Sequence, residues 1–139
     1  MPGEPSESTP NGKTDLYTLL VVEDDESIGE LLVQTIKSET SYAVLLVADA
    51  VHALKAVEAF KPSLFILDYH LPGIDGLELH DRLHSIHGLE SIPSLMMSSH
   101  SPPRQAIRQR EITFLKKPFD LADLLDNIER LLAQAHKDA

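Results

Sequence analysis

Short unbroken apolar runs alternate along the chain with stretches in which apolar residues recur every three or four positions. Residues 16–22, 44–47, 64–67 and 95–97 are runs of the first kind. Being apolar on consecutive positions, they predict strands of a sheet covered on both faces. A weaker fifth run at 112–115 leads into Lys116, Lys117 and Pro118. Ile28, Leu31, Leu32, Thr35 and Ile36 fall at helical spacing, as do Ala50, Ala53, Leu54 and Val57 behind the N-cap candidate Asp49. Leu79, Leu83 and Ile86 mark a third helix opened by Asp75-Gly76. The strongest stripe is the last: Asp120 caps, and Leu121, Leu124, Leu125, Ile128, Leu131 and Leu132 share one face. Residues 103–110 give a poor helix, with only Ala106 and Ile107 apolar. Strand–helix alternation five times over predicts an α/β fold, a doubly wound parallel sheet with helices on both faces. No internal repeat and no second domain are expected.

Composition adjusts this picture at one end. Residues 1–15 are Pro, Gly, Ser, Thr and charge with a single Met, too little apolar surface to offset ordering. They predict a disordered tail ahead of one domain at 16–136, with no output domain in the chain. The start is no secretory signal, and no apolar run approaches the roughly 18–20 residues that cross a bilayer. The chain has no cysteine, so thiolate metal sites and disulfides are excluded. A cytoplasmic location and no membrane partner are expected. The formal charge of -10 repels phosphate backbones and argues against nucleic acid as a partner.

The chemistry collects where strands end. In an open parallel sheet, ligands sit beyond the carboxyl ends of the strands, beside the switch in strand order. The first strand ends in Glu23 and Asp24, the third in Asp68. If those strands are neighbours, three carboxylates converge, and like charges so close raise one another's pKa. A divalent cation relieves this, and an oxygen-only ligand set favours Mg²⁺ or Ca²⁺ over zinc. Ser98 and Ser99 follow the fourth strand and Lys117 the fifth. Acids, a metal, a hydroxyl and a lysine together can receive a phosphoryl group, with Asp68 attacking and Lys117 neutralising.

The motifs VVEDDE (21–26), ILDYHLPGIDG (66–76), IPSLMMSS (92–99) and KKPF (116–119) make the chain resemble the receiver domains of two-component response regulators. The resemblance runs from about residue 16 to 135. It implies a flavodoxin-like five-stranded sheet in the order 2-1-3-4-5 and Asp68 as phosphoacceptor. It implies Mg²⁺ held by Asp24, Asp68 and the backbone carbonyl of His70, with Glu23 acting mainly through water. Ser98 becomes the switch hydroxyl, Phe114 the switch aromatic, and Lys117 the amine that pairs with phosphate, ahead of a cis bond to Pro118. Asp25 is left outside the pocket. The implied donor is a sensor histidine kinase or phosphotransfer protein, and the signal passes to a downstream protein target by contact or by onward phosphotransfer.

The stretch 98–117 departs most from the family: its helix is short, opens with Pro102-Pro103, and is expected to be frayed or displaced. His70 and His100 lie two residues beyond Asp68 and Ser98, positions that tune phosphate lifetime in the family. They read equally as solvated histidines. His80, His84 and His87 share a helical face that could hold a transition metal and reads first as a solvated polar face. Arg104, Arg108, Arg110, Lys116 and Lys117 form the densest positive cluster, ordinary surface or a meeting point for an acidic partner. Two alternatives stand beside the phosphoacceptor. One is a degenerate receiver acting only as a docking surface. The other is an aspartate-nucleophile phosphohydrolase, disfavoured because that chemistry wants a second Asp where His70 stands.

Overall fold

The computed structural model of the chain describes residues 17–138, so the tail expected at 1–15 lies outside the described residues. Five strands, β1 (Thr18–Val22), β2 (Ala43–Val47), β3 (Leu64–Asp68), β4 (Ser94–Ser98) and β5 (Thr113–Lys116), alternate with five helices. The helices are α1 (Glu26–Glu39), α2 (Ala50–Ala56), α3 (Gly76–His84), α4 (Arg104–Gln109) and α5 (Leu121–Asp138). Every pairing is parallel and the order is β2-β1-β3-β4-β5. This is the doubly wound, flavodoxin-like arrangement that the pattern and the resemblance predict, with the switch in strand order between β1 and β3.

The consecutive apolar residues have a simple cause. Along a strand, neighbouring side chains point to opposite faces, and here helices cover both. Leu19, Val21, Ile66 and Leu95 pack against Leu32 and Ile36 of α1 and Leu124 and Ile128 of α5. Leu20, Val22, Phe65 and Met96 pack against Ala53 of α2 and Leu79 and Leu83 of α3 on the other face. Each large side chain so buried contributes about 1.5–3 kcal/mol relative to exposure. The β2 run breaks the rule. It was expected to be buried, yet Leu45 is 39% exposed because β2 is the edge of the sheet. Composition cannot distinguish an edge strand from a central one when the order is unknown.

Asp25, Asp49 and Asp75 cap α1, α2 and α3, accepting from the backbone N–H of Ile28 (3.0 Å), His52 (2.8 Å) and Glu78 (2.8 Å). At α5, the backbone carbonyl of Asp120 accepts from Leu124 N–H at 3.1 Å. Helix α4 has no side-chain cap, because Pro103 occupies that position, and it has only six residues, none fully buried. It is as short as the sequence suggests, but its end is tied down. The Arg110 guanidinium donates to both carboxylate oxygens of Asp81 in α3 (2.8 and 2.9 Å) and to the Ala106 carbonyl (2.9 Å).

The three histidines of α3 and its exit do not form the solvated face expected of them. His80 is only 7% exposed and stacks on His84 at 3.9 Å between centroids. Both ring nitrogens of His84 lie 2.7 Å from carbonyl oxygens, Nδ1 from His80 and Nε2 from Ile92. His87 lies beyond the helix and is exposed. The end of α3 packs over the start of β4, and this covers the first two. With both His84 nitrogens engaged, the pair serves as a strut between helix and strand.

Candidate functional site

Strands β1 and β3 run side by side, Val22 level with Leu67, so the residues leaving them emerge together. Glu23 continues the ladder by donating its N–H to the Val47 carbonyl at 3.0 Å. Asp68, last residue of a fully buried strand, is fixed by the ladder, where Tyr69 N–H donates to Met97 O at 2.8 Å. One carboxylate oxygen from each of Glu23, Asp24 and Asp68 lies within 4.8 Å of the others. Glu23 and Asp68 are buried and Asp24 faces solvent. Asp25, next in the acidic run, turns away to cap α1 and donates its own N–H to Glu23 Oε2 at 3.0 Å. Of Glu23, Asp24, Asp25 and Asp68, three converge and Asp25 starts a helix.

Lys117 enters from the fifth strand end. Its N–H donates to the Ser98 carbonyl at 2.8 Å, which holds its backbone beside β4, and the Lys117–Pro118 peptide bond is cis. Its Nζ donates to Glu23 Oε1 at 2.8 Å and Asp68 Oδ1 at 3.2 Å. Burial opposes the ammonium charge, but the hydrogen bond to Glu23 and the charges of Glu23 and Asp68 together outweigh it, so the Lys117 pKa is raised. Burial pushes the Glu23 carboxyl up, and the neighbouring Asp68 charge adds to this against the pull of Lys117. Burial thus dominates at Glu23, whereas at Lys117 the acidic partners outweigh it. Among the described residues, Asp68 Oδ2 accepts no hydrogen bond.

Ser98 ends β4, fully buried, two strands across from the β1 carboxylates. Its Oγ accepts from the His100 N–H at 3.0 Å, and so is committed to the loop that follows. The His70 and His100 rings stand edge to face at 5.4 Å between centroids. Phe114 pairs with Met96 in the sheet. Half-buried, it lines a groove with Pro102, Arg104, Ile107, Arg108 and Ile112. The structure therefore brings Glu23, Asp24, Asp68 and Lys117 into one pocket, with Ser98 at the adjoining strand end and Phe114 on the α4 side.

One positioning residue escaped the sequence reading. A Cβ on Gly76 would lie 2.6 Å from the Asp68 carbonyl oxygen and 2.9 Å from Tyr69 Cα. Gly76 N–H donates to the Tyr69 carbonyl at 2.7 Å, closing the loop tightly behind the carboxylate. The signal was present as Asp75-Gly76, read only as a helix start. As a donor set, clustered carboxylate oxygens without sulfur or imidazole suit a hard divalent cation, and the buried crowding of Glu23 against Asp68 is what such an ion would relieve. No helix among the described residues is long and apolar enough to cross a membrane.

The family model for the response regulator receiver domain matches residues 19–129. The response regulator MprA of Mycobacterium leprae is 31% identical over 123 residues, covering 86% of this chain and 53% of the relative. That of Mycobacterium ulcerans is 31% identical over 117 residues, covering 82% of this chain and 49% of its own length. The chain thus spans about half the length of the curated relatives it matches. Among solved structures, the signal receiver domain of an HD domain-containing protein from Pseudomonas fluorescens is 28% identical with a TM-score of 0.77, covering 88% of this chain and 90% of that one. A CheY-like receiver domain protein from Methanospirillum hungatei shares the fold with a TM-score of 0.82 at 24% identity, covering 89% of this chain and 99% of that one.

Proposed function

The chain belongs to the response regulator receiver domain family, and from that premise we propose that Asp68 accepts a phosphoryl group from a histidine kinase or phosphotransfer protein. The observation that carries this is the shared Lys117 ammonium, in contact with Asp68 Oδ1 and Glu23 at the end of a fully buried strand. An oxygen of Asp68 forms the new bond to phosphorus while the bond to the donor breaks and its electron pair leaves with the donor. Oδ2 is the oxygen suited to this, since Oδ1 is engaged by Lys117. Lys117 moves its hydrogen bonds to the incoming phosphoryl oxygens, and its raised pKa keeps it charged as it does so. The Ser98 hydroxyl donates its own proton to another of them. Asp24 and Asp68, with the His70 backbone carbonyl and Glu23 mainly through water, would hold Mg²⁺, which would supply charge neutralisation at the transferring oxygens.

Fixing the nucleophile on a rigid strand removes the need to order it when the donor arrives. The experiment is direct: incubate the full chain with Mg²⁺ and acetyl phosphate, then weigh it intact. A single phosphate adduct, absent from Asp68→Ala and from samples stripped of divalent cations, is the expected result. Wild-type protein that gains no mass would leave only the docking-surface reading, and continuous turnover of phosphomonoesters would point to a hydrolase instead.

A further inference from the structure

The opposite edge of the sheet carries a cavity that takes no part in the chemistry above. It has about 510 Å³ and lies at the amino ends of β4 and β5, between the end of α3 and the last turns of α5. Asp68, Ser98 and Lys117 stand at the other, carboxyl edge. The size falls within the range of about 300–1,000 Å³ usual for small-molecule sites. Ser94, the first residue of β4, is only 4% exposed, and its Oγ has no hydrogen-bond partner among the described residues. Its side chain leaves the same strand face as Met96, which packs on α3, so the hydroxyl points toward the part of the cavity that His80 borders. Native folds rarely keep a buried hydroxyl without a partner.

The groups around it are acceptors as well. Asp81 lies 3.3 Å from His80 Nδ1 and, as a carboxylate, can only accept there, so that nitrogen carries the ring hydrogen. Burial keeps the imidazole neutral, its pKa lowered to about 4, and Nε2 is left as a bare lone pair with no hydrogen bond among the described residues. Glu111 borders the cavity with a carboxylate that, among the described residues, has no ion pair or hydrogen bond. Its backbone has φ 56°, in the left-handed region that a β-carbon disfavours, so a glutamate is held there against a local cost. Glu90 adds a second, exposed carboxylate. Arg110 also borders the cavity, but it is committed to Asp81 and the Ala106 carbonyl.

We infer that this cavity binds a short aliphatic diamine or polyamine, whose N–H groups reach Ser94 Oγ, His80 Nε2 and the Glu111 carboxylate while its methylene stem lies along Ile92 and Leu131. The chemistry of the wall selects this class. An anionic ligand would meet two carboxylates and find the guanidinium already occupied. A metal ion needs its ligands gathered, and among the described residues only Glu23, Asp24 and Asp68 bring three such atoms within 4.8 Å of one another. Acceptors spread over a cavity with apolar walls suit a cation whose donors are spread along a hydrocarbon chain. The formal charge of -10 draws such a cation toward the protein, and the unpaired hydroxyl and imidazole give it a place to stop.

The test is calorimetric titration of the full chain with putrescine and with spermidine, in excess Mg²⁺ to compete for the acidic pocket beside Asp68. Saturable binding of an amine is expected, with none of butanediol or succinate, which match the stem but lack the charge or reverse it. Ser94→Ala leaves the net charge unchanged and should weaken amine binding about fivefold or more. It should also unfold in no less urea than wild type, because it removes only an unpaired hydroxyl. Glu111→Gln should weaken binding about tenfold. Amide shift changes should centre on His80, Ser94 and Glu111 and persist in Asp68→Ala. Amine binding that follows net charge alone, untouched by Ser94→Ala, would overturn the proposal. So would shifts centred on Glu23 and Asp24, binding of the diol or the diacid, or no binding at all. A clear loss of stability in Ser94→Ala would overturn it too, by showing that the hydroxyl already serves the fold.

Discussion

At the scale of single residues, the site depends as much on a missing side chain as on those present. Gly76 is held where the chain turns from Tyr69 into α3, and a methyl group there would press on the backbone oxygen of Asp68 at 2.6 Å. Backbone cannot yield as a flexible side chain does, so Gly76→Ala must displace either the start of α3 or the end of β3. The expected cost is about 1–3 kcal/mol, typical of overpacking, read from urea unfolding. Phosphate uptake by the fraction still folded should slow as well, because the displaced group is the carboxylate's own peptide unit. Gly73 is the control: it has φ +91° and open space around its would-be Cβ. Gly73→Ala should carry a backbone penalty of about 1–2 kcal/mol with wild-type uptake per folded molecule. Wild-type stability and uptake in Gly76→Ala would show that the contact is not limiting.

Elements decide who can reach that carboxylate. Helix α1 and the turn between β5 and α5 flank the pocket, and Ile28, Leu31, Phe119 and Leu121 line an apolar groove of about 410 Å³ there, beside Lys117. Leu31 is 49% exposed and Leu121 37%, large apolar side chains set next to a charged site. On the proposed function, a protein donor would lay a surface against this rim to bring its phosphoryl group within bonding distance, whereas a small acyl phosphate need not. Leu31→Glu should therefore leave uptake from acetyl phosphate unchanged and slow transfer from a phosphorylated histidine kinase or phosphotransfer domain at least about tenfold, measured by radiolabel transfer. Equal slowing with both donors would locate the damage in the pocket instead. Much at this scale was legible in the sequence, because it is written locally. Apolar runs, helical stripes and the aspartates at 49 and 75 mark their elements without reference to anything distant. What was not legible depends on partners far along the chain. The exposure of Leu45 follows from strand order. The tie on α4 joins Asp81 to Arg110 across 29 residues. The burial of His80 and His84 follows from where α3 lands on β4. The convergence of Glu23, Asp24, Asp68 and Lys117 was legible only through the rule that parallel strands present their ends at one edge.

The whole molecule shows its character in how stability follows pH. Burial is the main cause holding His80 at a pKa of about 4, helped by the charge of the stacked His84 and opposed by Asp81. Arg110, across from Asp81, also disfavours a charge there, and the acidic side chains of Glu90 and Glu111 share the cavity that His80 borders. The unfolded chain holds this histidine at its ordinary 6.5, so between about 6.5 and 4 the unfolded state binds the extra proton. Stability contributed by neutral His80 is therefore fully present above pH 6.5 and is lost as pH falls toward 4, by up to about 3 kcal/mol. Glu23 works the other way: its raised pKa lets the folded state take up a proton first, so it gains relative stability as pH falls. Asp81, lowered below its ordinary 3.8 chiefly by Arg110, adds its loss only at still lower pH. His80→Gln retains a polar amide in the cavity and removes the titration. Urea unfolding of wild type at pH 7 and pH 5 should show a drop that is clearly smaller in His80→Gln. Parallel curves would mean that His80 takes up its proton in place, with the end of α3 opening to water before the fold gives way.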